Sequence, residues 1–133
     1  MPVPPAQRVA ALIPFVHVDD VERSIAFYQH LGFVVTSIYE YRESPVWAAL
    51  RSEGAELMVT RDGEPVDPAA QGVLFYLYAR DLAALRAQLL AAGVAAGEIE
   101  DGTPGPRQEM RVADPDGYVL MVAQIEPPGP GGD

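Results

Sequence analysis

Aromatic side chains recur at alternate positions along several strand-like segments of the sequence. Tyr76 and Tyr78 lie two residues apart in one apolar segment, and Tyr39 and Tyr41 do so in another. Trp47, the only tryptophan, lies in a third. Because side chains two apart in a β-strand share a face, these rows predict a flat apolar surface with phenol hydroxyls, suited to a planar small molecule. The alternative is ordinary core and sheet-face packing.

A few ionisable side chains lie where they would border such a surface. His17 alternates with Phe15 in the first apolar segment, so we predict that it shares the face of Phe15. There an imidazole can bind a polar ligand group or carry a switchable charge; the alternative is a histidine at the rim of the sheet. Arg107 and Glu109 precede Asp114 in a later segment. Glu109 is a candidate contact for a cationic ligand, and the alternative is an exposed pair at a strand edge.

The residue types that are missing exclude several reaction classes. The chain has no cysteine, which excludes disulfides, thiolate metal ligands and a cysteine nucleophile. All nine basic residues are arginine, so no lysine is available for a Schiff base. None of the serines lies in a nucleophile elbow, and the sequence has neither a phosphate loop nor a dinucleotide-binding fingerprint.

Composition and charge narrow the partners. The chain has 133 residues, of which 49% are hydrophobic and 21% charged, a balance typical of one globular domain. The net charge of −10 repels nucleic acid and anionic lipid, so we expect neither as a partner. No apolar run approaches the roughly 20 residues of a membrane span. The first residues lack the pattern of a signal peptide, and we therefore expect a cytoplasmic protein.

An internal repeat divides the chain into two similar halves. Asp81 follows Asp20 by 61 residues, and Gly93 follows Gly32 by the same distance. The segment GAELMV at 54–59 matches GYVLMV at 117–122. We predict a single domain over residues 8–125, made of module one at 8–60 and module two at 72–125, with flexible tails at 1–7 and 126–133.

Each half has the pattern β-α-β-β-β. An apolar segment comes first, at 11–18 and at 73–79, and Asp20 or Asp81 then caps a helix. Gly32 and Gly93 lie where each helix must end. The strand-like segments that follow are at 33–41, 46–51 and 56–60 in the first half, and at 95–99 (weakly), 109–113 and 118–124 in the second.

The sequence resembles the vicinal oxygen chelate superfamily, which includes glyoxalases, extradiol dioxygenases and bleomycin-resistance proteins. The resemblance rests on Val18–Tyr28 (VDDVERSIAFY), on Leu31-Gly-Phe33, on Asp81 with Gly93, and on Asp114–Val122 (DPDGYVLMV). It implies an α+β fold in which two βαβββ modules form a cupped mixed sheet. The Gly105-Pro-Arg107-Gln-Glu109 stretch is similar to one in the bleomycin-resistance branch, although the residue order differs.

In the enzymes of this superfamily a divalent metal is held by side chains of the first and last strand of each module. Carried onto this sequence, those positions are Ile13, Met58, Leu74 and Met121. Their side chains offer no nitrogen or oxygen, and methionine sulfur suits Cu(I) at best. We therefore expect no metal and no other cofactor.

These observations predict a metal-free binding protein of the bleomycin-resistance type that sequesters an aromatic small molecule, either neutral or cationic. The resemblance also implies a homodimer with its clefts at or near the interface. Two alternatives are a metal-dependent lyase, transferase or dioxygenase of the same superfamily with displaced ligands, and a metal-free enzyme that uses tyrosine, His17 or Glu109. The candidate ligand-binding residues are Phe15, His17, Tyr39, Trp47, Met58, Tyr76, Tyr78, Arg107, Glu109 and Met121.

Overall fold

The computed structural model describes residue 7 and residues 10–61, 63–101 and 108–125. It confirms the α+β fold with two βαβββ modules. Module one consists of β1 (Phe15–His17), α1 (Val21–Gln29), β2 (Val34–Tyr41), β3 (Ser44–Ser52) and β4 (Ala55–Thr60). Module two consists of β5 (Leu74–Ala79), α2 (Leu82–Ala91), β6 (Glu100–Asp101), β7 (Gln108–Ala113) and β8 (Val119–Gln124), after a short 3-10 helix at Pro68–Ala70. The predicted tails fall almost entirely outside the described residues.

Each module forms its own four-stranded mixed sheet. The strand orders are β1-β4-β3-β2 and β5-β8-β7-β6, so the first strand of each module lies at a sheet edge beside the last. The pairs formed by the first and last strands, β1 with β4 and β5 with β8, are parallel, and the other pairs are antiparallel. The two sheets therefore have equivalent connections, as the sequence repeat predicts.

Local sequence signals fix the two helices. The Asp20 carboxylate accepts a hydrogen bond from the Arg23 backbone N–H at 3.1 Å, and Asp81 accepts one from Ala84 at 3.0 Å. Both contacts satisfy an N–H group that the first helical turn leaves unpaired. Gly93 takes a φ of +82° directly after the cap of α2, a conformation that residues with a side chain rarely adopt. Neither helix of the described chain has the length and apolar character that a membrane crossing requires.

Two predicted strands differ in extent from those observed. In the segment 11–18 only Phe15–His17 pairs as a strand, next to β4. The segment 95–99 contributes a single bridge between Ala96 and Val112, and the strand forms at Glu100–Asp101 instead. The weak alternation of this alanine- and glycine-rich stretch explains the shift, because neither residue type favours a strand.

The hydrophobic core contains residues of both modules. From the helices, Val21, Phe27, Leu82 and Leu89 are all 8% exposed or less. Strand residues that face the helices are also buried, among them Ala48, Leu50, Val59, Met110, Val112, Leu120 and Val122. Because side chains alternate along each strand, the intervening residues lie on the opposite faces of the two sheets, where the candidate site was predicted.

A buried polar network joins the modules. The Tyr28 hydroxyl donates to the Asp114 carboxylate, whose other oxygen accepts from the backbone N–H groups of Asp116 and Tyr118. The Asp116 carboxylate reaches module one, where it accepts from the Asp19 backbone N–H and from the side chains of Arg23 and Ser24. The Asp-Pro-Asp-Gly turn thus packs against the start of α1 and does more than reverse the chain.

Candidate functional site

Strand register brings the candidate residues of module one into two rows across its sheet. Phe15 of β1 lies opposite Met58 of β4, and His17 lies opposite Thr60. Thr60 is opposite Trp47 of β3, which in turn is opposite Tyr39 of β2. Residues opposite one another in neighbouring strands share a face. One row is therefore His17, Thr60, Trp47 and Tyr39, and the next contains Phe15, Met58 and Ala49.

This module-one face is aromatic and largely uncovered. Phe15 is 50% exposed and Tyr39 is 60% exposed, while Trp47 and Met58 are half-buried. The rings of Phe15 and His17 meet edge to face, with centroids 6.3 Å apart. On the other side of the same strands, Val16 and Val59 are in the core. The face is therefore an aromatic surface held on a well-packed sheet.

Module two presents the equivalent face. Tyr76 of β5 lies opposite Met121 of β8, which lies opposite Arg111 of β7. In the next row Tyr78, Ala123 and Glu109 are aligned. Tyr76 is 46% exposed and Tyr78 is 56% exposed, and their rings are 5.5 Å apart.

A direct contact joins two of the candidate residues of module two. The Tyr76 hydroxyl donates a hydrogen bond to a carboxylate oxygen of Glu109. The two strands are separated by β8, so the two side chains meet above that strand, where the small Ala123 is fully buried. The contact gives the aromatic face a polar group that can still accept a further hydrogen bond or an ion pair, because a carboxylate has about four acceptor sites.

The two faces belong to two different sheets. Phe15 and Trp47 belong to one sheet, and Tyr76 and Tyr78 belong to the other. A cleft of about 620 Å³ between the modules is lined by Tyr76 and Tyr78, but by none of the candidate residues of module one. Its remaining wall includes Phe33, Leu85 and the exposed Arg80–Glu53 ion pair. This cleft therefore does not combine the aromatic residues of the two modules.

Comparison with known proteins identifies the family. Residues 9–122 match the model of the Glyoxalase/Bleomycin resistance protein/Dioxygenase superfamily. The chain belongs to this superfamily. No curated protein matches it significantly in sequence.

Several solved structures have the same fold at low sequence identity. A bleomycin-binding protein, solved in complex with bleomycin, is 22% identical, with a TM-score of 0.72 over 89% of this chain and 100% of that one. A bleomycin resistance determinant encoded on the transposon Tn5 is 23% identical, with a TM-score of 0.72 over 90% of this chain and 100% of that one. TnmS3, an antibiotic-binding protein from Streptomyces sp. CB03234, is 21% identical, with a TM-score of 0.66 and coverage of 90% and 100%.

The metal-binding positions carried over from the superfamily enzymes do not fit a metal. Met58 lies opposite Phe15 in the sheet of module one, and Met121 lies opposite Tyr76 in that of module two. Leu74 begins β5, and Ile13 precedes β1. Among the described residues, no group of three or more His, Asp or Glu side chains could hold an ion.

Two further residues belong to these faces, and the sequence analysis missed them. Thr60 lies between His17 and Trp47 in their row. Arg111 lies two residues after Glu109 and on the same face. Alternation along the predicted strand 109–113 places Arg111 on the same face as Glu109. Arg107 lies outside the described residues.

Proposed function

We propose that this superfamily member is a binding protein that sequesters a small aromatic molecule between two copies of the chain. The observation that carries the proposal is the pair of uncovered aromatic faces, one on each module. Phe15, Tyr39, Tyr76 and Tyr78 are each between 46% and 60% exposed. Contiguous apolar surface of this kind is typical of interaction sites rather than of ordinary protein surface.

A second copy of the chain is the partner that would complete the cleft. One copy presents both faces, and a symmetric pair would bring the module-one face of each copy toward the module-two face of the other. Covering a ring such as that of Phe15 gains roughly 1.5–3 kcal/mol when it goes from full exposure to full burial. Several such rings lie on each face, so a dimer with a ligand between its sheets would be favoured.

Glu109 supports a preference for ligands that carry a positive charge or hydrogen-bond donors. Its carboxylate is held on the aromatic face by the Tyr76 hydroxyl. The net charge of −10 adds a long-range field of the same sign. A flat cation would gain from stacking on the rings, from burial of its apolar surface and from pairing with this carboxylate.

Stoichiometric binding, without a metal and without turnover, is the mode of action that the residues favour. Ile13, Met58, Leu74 and Met121 provide no ligand for a hard or borderline cation. The bleomycin-binding protein and the antibiotic-binding protein TnmS3 have the same fold, which supports a binding function.

The experiment is a ligand titration with chemical analysis of the ligand afterwards. Bleomycin and a panel of planar aromatic amines would be titrated against purified protein, with Trp47 fluorescence as the signal. We expect saturable binding at one ligand per cleft, unchanged ligand mass after prolonged incubation, and no stoichiometric metal by elemental analysis. Conversion of a ligand to a product would contradict the proposal. So would stoichiometric metal that is lost when Met58 or Met121 is replaced.

A further inference from the structure

Arg111 is a charged residue in the middle of the module-two face. It lies on β7, opposite Met121 and two residues from Glu109, and it is exposed. Its guanidinium forms no hydrogen bond or ion pair with any residue that the structure describes. Other arginines are paired: Arg23 with Asp116 and Arg80 with Glu53.

Two carboxylates lie on the same face, that of Glu109 on β7 and that of Glu100 opposite it on β6, and neither forms an ion pair with Arg111. Glu109 is turned toward β5, where it accepts the hydrogen bond from Tyr76. The cross-strand neighbour of Arg111 is the thioether of Met121, which is no counter-ion. On the outer side of β7 the contact is with backbone, since Gly97 donates its N–H to the Arg111 carbonyl at 2.9 Å. The guanidinium therefore has no direct partner among the described residues, although Glu109 and Glu100 lie on the same face.

Covering this face would make the unpaired charge costly. An arginine that loses water without gaining a partner pays a large desolvation penalty, and an anion that accepts hydrogen bonds from its guanidinium offsets that penalty. Of the groups that a ligand could place against Arg111, an acidic one offsets this penalty most.

We infer that Arg111 determines specificity, by selecting aromatic ligands that carry an acidic group such as a carboxylate, sulfonate or phenolate. The inference rests on the proposed function and deepens it. The planar guanidinium donates two parallel hydrogen bonds to such a group, a geometry that a lysine cannot reproduce. Glu109 lies about 7 Å along the strand and accepts a donor or cationic group. The preferred ligand is thus an aromatic molecule with acidic and basic groups at its two ends.

A matched pair of dyes tests this inference. The anionic dye 8-anilino-1-naphthalenesulfonate and the neutral N-phenyl-1-naphthylamine share the same ring system and differ by the sulfonate. Energy transfer from Trp47, the only tryptophan, reports dye bound near the predicted cleft. The variants are Arg111→Gln, Arg111→Lys and the control Arg42→Gln, which makes the same charge change in the turn between β2 and β3.

We expect Arg111→Gln to weaken binding of the sulfonate dye about tenfold or more, the usual loss when a hydrogen bond to a charged group is removed. Binding of the neutral dye should not change. Arg111→Lys should recover part of the loss, and Arg42→Gln should leave both dyes unaffected.

The results that would contradict the role of Arg111 differ from those that would contradict the proposed function. If Arg111→Gln affects both dyes equally, or neither, Arg111 does not select an acidic group, whereas the aromatic cleft stands. If it weakens the dimer in sedimentation without a selective loss of the sulfonate dye, Arg111 pairs with the second copy, and the inference is wrong. If neither dye accepts energy from Trp47 in the unmodified protein, the proposed function itself fails.

Discussion

The Tyr28 hydroxyl in α1 of module one donates a hydrogen bond of 2.7 Å to the Asp114 carboxylate of module two. Tyr28 is 1% exposed and Asp114 is 5% exposed. In an environment with so little water, an acceptor that loses its donor is not rescued by solvent. The contact therefore links the two modules energetically as well as in space.

Replacing Tyr28 by phenylalanine tests that link. Tyr28→Phe removes the donor and keeps the ring, so we expect the free energy of unfolding in urea to fall by about 1–3 kcal/mol. Tyr41→Phe is the matched control, because Tyr41 is 56% exposed and its loss of a hydroxyl should be neutral. Equal stability of the two variants would show that the network contributes nothing measurable.

The helices, their caps and the two-module pattern could be predicted from the sequence, because each depends on residues close in the chain. Asp20 and Asp81 cap the first turn of their helices regardless of what each helix packs against. The exposure of Phe15 and Tyr76 could not be predicted in this way. It depends on which faces of the two sheets the helices cover, and that is set by contacts between modules, such as Tyr28 with Asp114. The sequence predicts Glu109 only as a single candidate residue. Predicting its contact with Tyr76 across β8 also needs the order of the strands in the sheet.

Asp114 should also make stability depend on pH. Burial raises the pKa of its carboxyl above the ordinary value of 3.8, and outweighs the hydrogen bonds that favour the ionised form. The folded chain therefore holds this proton more tightly than the unfolded chain does. The contribution of protonated Asp114 to the free energy of unfolding is complete below the pKa that this carboxyl has in the unfolded chain. It is lost as the pH rises through the pKa in the folded chain.

The measurement compares the unmodified protein with Asp114→Asn in urea unfolding at a series of pH values from 3.8 upward. The asparagine does not titrate, so the stability of the unmodified protein relative to Asp114→Asn should decline as the pH rises and then level off. A difference that stays constant over this range would mean that Asp114 keeps an ordinary pKa in the folded chain.

Trp47 should anchor an aromatic ligand. Trp47→Ala should weaken binding of N-phenyl-1-naphthylamine, measured by direct excitation of the dye, by about 1–3 kcal/mol, as for aromatic anchors in other binding sites. Trp47→Phe keeps an aromatic ring at this position, so it should lose clearly less binding free energy. Because Trp47 is half-buried, thermal unfolding of both variants is measured in parallel. Undiminished dye affinity in a folded Trp47→Ala variant would remove Trp47 from the site.

Glu109 should favour cationic ligands over neutral ones. Glu109→Gln should lower the affinity for N-methylacridinium by about 1 kcal/mol, a magnitude typical of a partly exposed ion pair, and should leave that for neutral acridine unchanged. Added salt should weaken the binding of N-methylacridinium and leave that of acridine unchanged. Glu98→Gln is the control, because Glu98 pairs with Arg86 and its side chain is 83% exposed. Equal loss in both variants would assign the effect to net charge alone.

The proposed dimer should depend on the module-one face. Light scattering of the unmodified protein should give about twice the chain mass of 14.3 kDa. Phe15→Glu introduces a charge on a side chain that is already 50% exposed, so each copy should still fold. In the dimer, however, that charge would be buried without a partner, which favours dissociation.

Leu90→Glu is the matched control, since Leu90 is 45% exposed on α2, away from both sheet faces. We expect Phe15→Glu to sediment as a monomer and Leu90→Glu as a dimer, with similar far-ultraviolet circular dichroism. The Phe15→Glu monomer should also fail to bind N-phenyl-1-naphthylamine, because in the proposed cleft the dye lies between the module-one face of one copy and the module-two face of the other. A monomeric variant that binds the dye with full affinity would place the cleft within a single chain.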